Sequence, residues 1–316
     1  MGRAEHMQEK ILPYIAERDA ARVFNLWRAT IGSEWPLEAS RLEHILTGPG
    51  SQHFLVQENG QAVGFVATRK AEQNVGHISV LLVSPDWQHR GIGTALHHAS
   101  LEYLHGLGVS RVQLGGGSPR FFPGIPDNLP SALAFFGKQG WKVDHVTYDL
   151  VQDLRNYTTP SSIWQRMERE RIRFSIATKE SEAELLAFEE REFPEWLTAF
   201  QCVAMLGDYS DLLIGRDEVG RVVASLILYT PESHSDRSDV IWQSLLGKRL
   251  GAIGCVGVAE AERGRAIGLA LVARATELLI ERGIDTCYID WVVLTEFYAK
   301  LGYDIWRGYH MSWREV

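Results

Sequence analysis

Two short stretches of the sequence combine glycine and basic residues in a way that suits phosphate. Gln88-His-Arg-Gly-Ile-Gly93 follows an apolar strand pattern and opens an amphipathic helix. A glycine-rich turn at that junction leaves backbone N–H groups free at the positive end of a helix, where a pyrophosphate binds. Glycine permits close approach of the backbone, and arginine adds charge. The second stretch, Arg263-Gly-Arg-Ala-Ile-Gly268, has Ala266 where the first has Gly91. Alanine is harmless there if its φ is helical and strained if φ is positive. The position opens a helix, so a helical φ is expected.

Asp290 closes the strand pattern Cys287-Tyr-Ile-Asp, where that strand should diverge from the preceding one. A carboxylate there could bind an ammonium group or take its proton; it could equally cap the next helix. Glu296 reads as a solvated helix residue. Trp291 could stack on a sugar ring, although in a chain with 10 tryptophans core packing is the default. Cys255 has no activating base in view and reads as core. No CxxC or HExxH spacing occurs, so no metal site is expected.

The two phosphate-type stretches belong to an internal repeat. Aligning Gly93 with Gly268 gives an offset of 268 − 93 = 175, which also pairs Val83 with Val258, Arg90 with Arg265, Gly108 with Gly283 and Leu114 with Ile289. Each copy then reaches a Gly-aromatic pair, Gly140-Trp141 and Gly302-Tyr303, 140 − 93 = 47 and 302 − 268 = 34 residues after its anchor glycine. The 13-residue difference matches the Gly/Pro stretch Gly115 to Asp127, which cannot be a regular element. Upstream of each anchor lies a hairpin pattern, around Asn59-Gly60 in one copy and Gly220 in the other. Each half therefore reads as helices, hairpin, strand, helix, strand, helix and closing strand. That is an α/β class fold, α+β in the sense of a mixed sheet with helices on its faces. The expected division is 1–157, a linker at 158–170 where the pattern turns polar, and 171–316.

The chain has 316 residues, enough for two domains, and a formal net charge of −8. That balance argues against a nucleic-acid partner, since phosphate binding is driven by Lys and Arg. Three cysteines make no disulfide framework. No apolar run approaches the ~18 residues of a membrane span, and the N-terminus lacks a signal core. A cytoplasmic, membrane-free protein is expected, with Met1 to His6 vector-derived and Met7 the natural start.

Gln/Arg-x-x-Gly-x-Gly/Ala after a strand resembles the acetyl-CoA signature of the GNAT acyltransferases, and Gln88–Gly93 matches it throughout. With the terminal Gly-aromatic pattern, nearly the whole of each half resembles that family. Two such domains in tandem resemble mycothiol synthase and bacterial glucosamine N-acetyltransferases. The resemblance implies two GNAT acyl-CoA N-acyltransferase domains, with acetyl-CoA as co-substrate and a small primary amine, such as an amino sugar or aminoglycoside-like glucosaminide, as acceptor. It implies that acetyl-CoA is held by Val83, Gln88, His89, Arg90, Gly91, Ile92, Gly93 and Thr94 in one half. In the other half the implied residues are Val256, Val258, Arg263, Gly264, Arg265, Ala266, Ile267 and Gly268. In the family a tyrosine four residues before the closing glycine often protonates the departing thiolate. That residue is Tyr298 in the second copy and Phe136 in the first, so the C-terminal half is the expected catalytic one, with Asp290 as acidic partner. The alternative for Tyr298 is a packed aromatic on an amphipathic helix. Two other readings stay open: a non-catalytic acetyl-CoA sensor, and an aminoacyl or peptidyl transferase on the same tandem fold.

Overall fold

The computed structural model of the chain describes residues 10–71, 74–117, 119–234, 237 and 242–316. The stretch Met1 to His6 and residue 118 of the Gly/Pro loop lie outside them. The described residues form two compact units: one runs up to Thr147 and includes Arg307–Val316, the other is Tyr148–Trp306.

Unit one contains β1 (Ile11–Pro13), α1 (Ala16–Thr30), α2 (Ala39–Leu46), β2 (Ser51–Glu58), β3 (Gln61–Lys70), β4 (Val75–Val83), α3 (Ile92–Gly106), β5 (Arg111–Leu114), β6 (Ile125–Pro126) and α4 (Pro130–Lys138). The β2–β3 turn is the expected two-residue one, with Glu58 opposite Gln61. Asn59 and Gly60 both take positive φ, 51° and 77°, the requirement of a type I′ turn. The strand β7 (Val143–Asp153) follows, and from Tyr148 onward it belongs to unit two.

Unit two continues with α5 (Ser161–Glu170), β8 (Arg173–Ile176), α6 (Glu182–Glu192), α7 (Leu197–Leu206), β9 (Leu212–Arg216), β10 (Val222–Tyr229), the short α8 (Gln243–Leu246), β11 (Leu250–Val258), α9 (Ile267–Glu281), β12 (Thr286–Val292) and α10 (Thr295–Ala299). The last strand, β13 (Asp304–Glu315), belongs to unit one from Arg307 onward.

Each unit has the same mixed sheet. In unit one the order is β1-β2-β3-β4-β5-β13, antiparallel throughout except for the parallel β4–β5 pair. In unit two it is β8-β9-β10-β11-β12-β7, again with one parallel pair, β11–β12. Helices α3 and α9 fill the core on one face. In α9 Ala270, Leu271, Val272, Ala273, Ala275, Leu278 and Leu279 are all buried, so polar residues survive on a narrow stripe around Arg274 and Glu281. The mixed α/β sheet with helices expected from the sequence is borne out.

The domain limits differ from the expected 1–157, 158–170 and 171–316. The closing strands are exchanged: β7, at the end of the first sequence repeat, closes the sheet of unit two, and β13 closes that of unit one. Residues 161–170, expected as linker, form a helix. It is amphipathic: Met167 is buried in the unit-two core, with Ile163 and Trp164 packed beside it, while the remaining charged side chains give the segment its linker-like composition. Among the described residues no helix is long and apolar enough to cross a membrane.

Candidate functional site

The two phosphate-type loops share one construction. The side chain of the first motif residue turns back to the last carbonyl of the preceding strand: Gln88 Nε2 donates to Val83 O at 3.2 Å, and Arg263 Nε donates to Val258 O at 3.3 Å. Two left-handed residues follow, one residue apart. They are His89 (φ 59°) and Gly91 (88°) in unit one, and Gly264 (83°) and Ala266 (64°) in unit two. Space is open around the Cβ positions of Gly91 and Gly264, and a fifteen-residue helix starts immediately after each loop. Backbone alternating in this way concentrates N–H groups and makes a cradle for an anion. A pyrophosphate fits both loops on these grounds.

One expectation is corrected and two details are added. Ala266 takes positive φ where a helical value was expected, because the turn geometry is dictated by the strand-to-helix junction in both copies. A Cβ on Gly93 would lie 3.3 Å from Phe135, and one on Gly268 would lie 3.3 Å from Val258 and 3.4 Å from Phe297. Those two glycines allow close packing against the last helix of each unit. Arg265, expected to add charge for phosphate, is half-buried in ion pairs with Glu170, at 2.7 Å, and with Glu262. Its counterpart Arg90 stacks on Trp87 with 4.6 Å to the ring centroid and donates to Asp86 O.

In unit two the parallel pairing of β11 and β12 ends at Ala252 and Tyr288, although β11 continues to Val258 and β12 to Val292. Beyond those residues the strands diverge, which opens the sheet between them. Each diverging strand carries a bulge. On β11 the register against β10 slips between Ser225 and Ile227, and Cys255 takes φ 52°. On β12 it slips between Ile289 and Val292, and Trp291 takes φ 53°. Bulges re-aim side chains and end regular pairing. Cys255, expected in the core, is half-buried at this bulge. Asp290 lies within β12 instead of at its end.

Tyr298, on α10, is half-buried and packs edge-on against Phe297 and Tyr303 at 4.9 and 6.1 Å between ring centroids. Its pKa is pushed up to about 12, by burial first and then by the negative charge of Asp290. The fold thus brings Tyr298 and Asp290 within electrostatic reach of each other, and the phenol keeps its proton across the neutral range. The neighbouring Cys287 thiol is fully buried, pushed up to about 12 by burial, and so is no nucleophile.

Sequence reading missed Asp149. It comes from β7, which the repeat assigns to the first copy, and the exchange of strands puts it in unit two. It is 1% exposed, its Oδ1 accepts the backbone N–H of Trp291 at 3.1 Å, and its Oδ2 accepts the Tyr288 hydroxyl. A lone acid in the strand run Val146-Thr-Tyr-Asp-Leu-Val was the available signal. In the same unit Glu189, on α6, is fully buried and accepts the Ser225 hydroxyl. Its carboxyl pKa is pushed up to about 7, chiefly by burial, and its Oε2 has no hydrogen-bond partner among the described residues.

Unit one has the same divergence, because β4 and β5 part after Ile78 and Leu114. There the described residues of the 115–127 insertion fill one side. Phe121 and Phe122 are buried against Trp27 and Trp35, with ring centroids 4.9 Å apart for Trp27–Phe121 and 4.8 Å for Trp35–Phe122. Arg69 donates to the carbonyls of Gly117 and Pro119 at 2.7 and 3.2 Å. Between the insertion and Ser79, the first residue past the paired region, remains a cavity of about 10 Å³, at the limit for one water. Phe136 is buried beside His97 and Trp141, and Gly115 stands where unit two has Asp290.

The sequence profile of the Acetyltransferase (GNAT) family matches residues 20–123 and 169–303. Among solved structures, the chain is similar to a fungal "glucosamine N-acetyltransferase region" of a multi-domain GH3 β-N-acetylglucosaminidase, with 41% identity and a TM-score of 0.91. That similarity covers 96% of this chain and 38% of the fungal chain, so the protein spans well under half of its relative. A GCN5-related N-acetyltransferase from Sphaerobacter thermophilus has a TM-score of 0.72 at 17% identity, covering 97% and 96% of the two chains. A tandem GNAT protein from the clavulanic acid biosynthesis pathway has a TM-score of 0.65 at 14% identity, covering 96% and 98%. These two share the fold. No curated protein matches the chain.

Proposed function

Because the chain belongs to the GNAT acetyltransferase family, we propose that unit two transfers an acetyl group from acetyl-CoA to the primary amine of a small amino sugar such as glucosamine. The observation that carries the reading is the divergence of β11 and β12, with Asp290 on β12 within electrostatic reach of Tyr298, in a unit whose β11 runs into a phosphate-cradling loop. The 41% identical fungal region supports an amino-sugar acceptor.

Acetyl-CoA supplies the activated acyl group, and the 263–268 loop with the start of α9 holds its pyrophosphate. Asp290 attracts the ammonium form of the acceptor and takes one proton from it; the free amine nitrogen then bonds to the thioester carbonyl carbon as the C–S bond breaks, and the second proton it sheds replaces the one Tyr298 gives up. Tyr298 Oη carries the proton for the departing sulfur. A thiol titrates near pH ~8.5, so a phenol near 12 is a weak acid toward it while Asp290 is charged. Once a cationic partner or a proton neutralises Asp290, its charge no longer helps to hold the tyrosine pKa up, and the phenol becomes a stronger acid than in the empty site, while burial keeps it weaker than the thiol. Acceptor binding and proton delivery are coupled through this pair. Unit one keeps the second phosphate loop, but Phe136 and Gly115 leave it without the proton donor and the carboxylate of unit two, and it serves as a structural or CoA-holding partner.

The test is thiol release from acetyl-CoA with glucosamine and a panel of other amines, with mass spectrometry of the products. N-acetylglucosamine formed at a rate above the amine-free background supports the proposal. Absence of any acetylated amine, with acetyl-CoA bound, refutes it.

A further inference from the structure

In unit two a buried carboxylate is hydrogen-bonded to a residue held in left-handed backbone. The pairing of β7 with β12 sets Leu150 opposite Ile289 and Tyr148 opposite Val292, so Asp290 and Trp291 together face the single residue Asp149. In a regular strand those two side chains would point to opposite faces, and a slip of one residue would swap them. The bulge replaces that alternation, at the expense of a positive φ at Trp291, which a bulky residue avoids. Asp149 Oδ1 takes the Trp291 N–H that the bulge removes from the ladder, and Tyr288 takes Oδ2. Both carboxylate oxygens are used within the protein, so Asp149 is not itself a group for the acceptor.

Unit one makes the comparison. There β13 sets Ser312 opposite Leu114, as β7 sets Leu150 opposite Ile289 in unit two. The offset, 312 − 150 = 162, equals that of the two closing aromatics, 298 − 136 = 162. By this register the counterpart of Asp149 is Met311, which is buried and has no acceptor oxygen in its side chain. Unit one thus has Met311, Gly115 and Phe136 where unit two has Asp149, Asp290 and Tyr298. The three polar groups collect in one unit, although one of them comes from the other repeat.

We infer that Asp149 is a positioning residue of the transfer site, holding the Asp290–Trp291 bulge so that the Asp290 carboxylate stays within reach of Tyr298. This rests on the proposed acetyl transfer in unit two. The hydrogen bond sets the geometry, and the negative charge of Asp149 is secondary.

The experiment compares the full chain with Asp149→Leu, Asp149→Ala and Asp149→Asn in steady-state kinetics with glucosamine and acetyl-CoA. Leu is close to Asp in shape, and Ala is a second removal should Leu not fold. Both removals are expected to raise KM for glucosamine and lower kcat by about tenfold each or more, with KM for acetyl-CoA within about twofold. Asn can still accept the Trp291 N–H, so it is expected to recover activity to within about fivefold of wild type. A wild-type KM for glucosamine in the removals overturns the assignment, as does a parallel loss of acetyl-CoA affinity. An Asn variant as impaired as Leu also overturns it, since charge would then be the requirement. If the wild type binds acetyl-CoA and acetylates neither glucosamine nor any other amine, the acetyl-transfer reading falls first, and this inference with it.

Discussion

Ala266 stands at φ 64° where its counterpart Gly91 stands at 88°, so one turn geometry is built with alanine in one unit and glycine in the other. A left-handed non-glycine residue costs roughly 1–2 kcal/mol. Ala266→Gly relieves that strain but loosens the unfolded chain by about 0.4–1 kcal/mol. The expected net gain is about 0.5–1 kcal/mol, and Gly91→Ala should lose a similar amount. Denaturant unfolding of both variants checks this; a destabilised Ala266→Gly would mean that the alanine methyl makes a compensating contact.

Tyr298→Phe keeps the ring and its edge-on contacts with Phe297 and Tyr303. It should lower kcat by roughly 10- to 1,000-fold, overlapping the ~10²–10⁴-fold range of a positioned general acid, with acetyl-CoA affinity nearly unchanged. The mirrored change Phe136→Tyr, placed in the Tyr298→Phe background, should restore nothing, because Gly115 supplies no carboxylate in unit one. A wild-type kcat in Tyr298→Phe would make the hydroxyl a bystander.

Asp290→Asn removes a negative charge that disfavours tyrosinate at Tyr298. The Tyr298 pKa should therefore fall from about 12 while staying above that of a free tyrosine, since burial is the larger cause. Titration of ring-labelled tyrosine by NMR, assigned with Tyr298→Phe, reads the shift directly. An unchanged or higher pKa would show that the two groups are not coupled.

Glu189 predicts the pH dependence of stability. Its pKa rises from 4.5 to about 7 on folding, so the folded state binds the proton more tightly. Below pH ~4.5 both states are protonated and there is no penalty. Between pH 4.5 and 7 stability falls, and above about 7 the fold carries a buried carboxylate at a cost of about 3 kcal/mol. Glu189→Gln should change stability little at pH 4.5 and raise it by about 1–3 kcal/mol at pH 8. Equal effects at both pH values would place the cause in packing or in the Ser225 hydrogen bond instead.

Gly268→Asp and Gly93→Asp should each lose stability before anything else, because the new side chain is directed at Val258 and Phe297 or at Phe135. A desolvated carboxylate against those groups costs several kcal/mol. Thermal unfolding alongside acetyl-CoA titration decides the order of effects. Unchanged melting with lost binding would return the glycines to the phosphate-approach role.

The features legible in the sequence are those set by local chemistry. Asn59-Gly60 specified its turn because few residue pairs accept two positive φ values. Gln88–Gly93 announced a strand-to-helix junction, and the recurrence of that pattern at a fixed offset showed two copies of one unit. The correspondence of Asp290 with Gly115 followed from the same offset, and that of Tyr298 with Phe136 from the closing Gly-aromatic pair of each copy. What the sequence left undecided is whatever depends on partners far along the chain. The strands β7 and β13 carry the same kind of pattern, and either could close either sheet edge as far as alternation tells; long-range pairing assigned each to the other repeat's unit. That assignment alone moved Asp149 beside Trp291 and Met311 beside Gly124. The capture of Arg265 by Glu170, the aromatic filling of unit one by Phe121 and Phe122, and the burial that lifts Tyr298 and Glu189 were likewise decided in the tertiary structure. Periodicity tells which face of an element is apolar, but it does not tell which surface will cover that face.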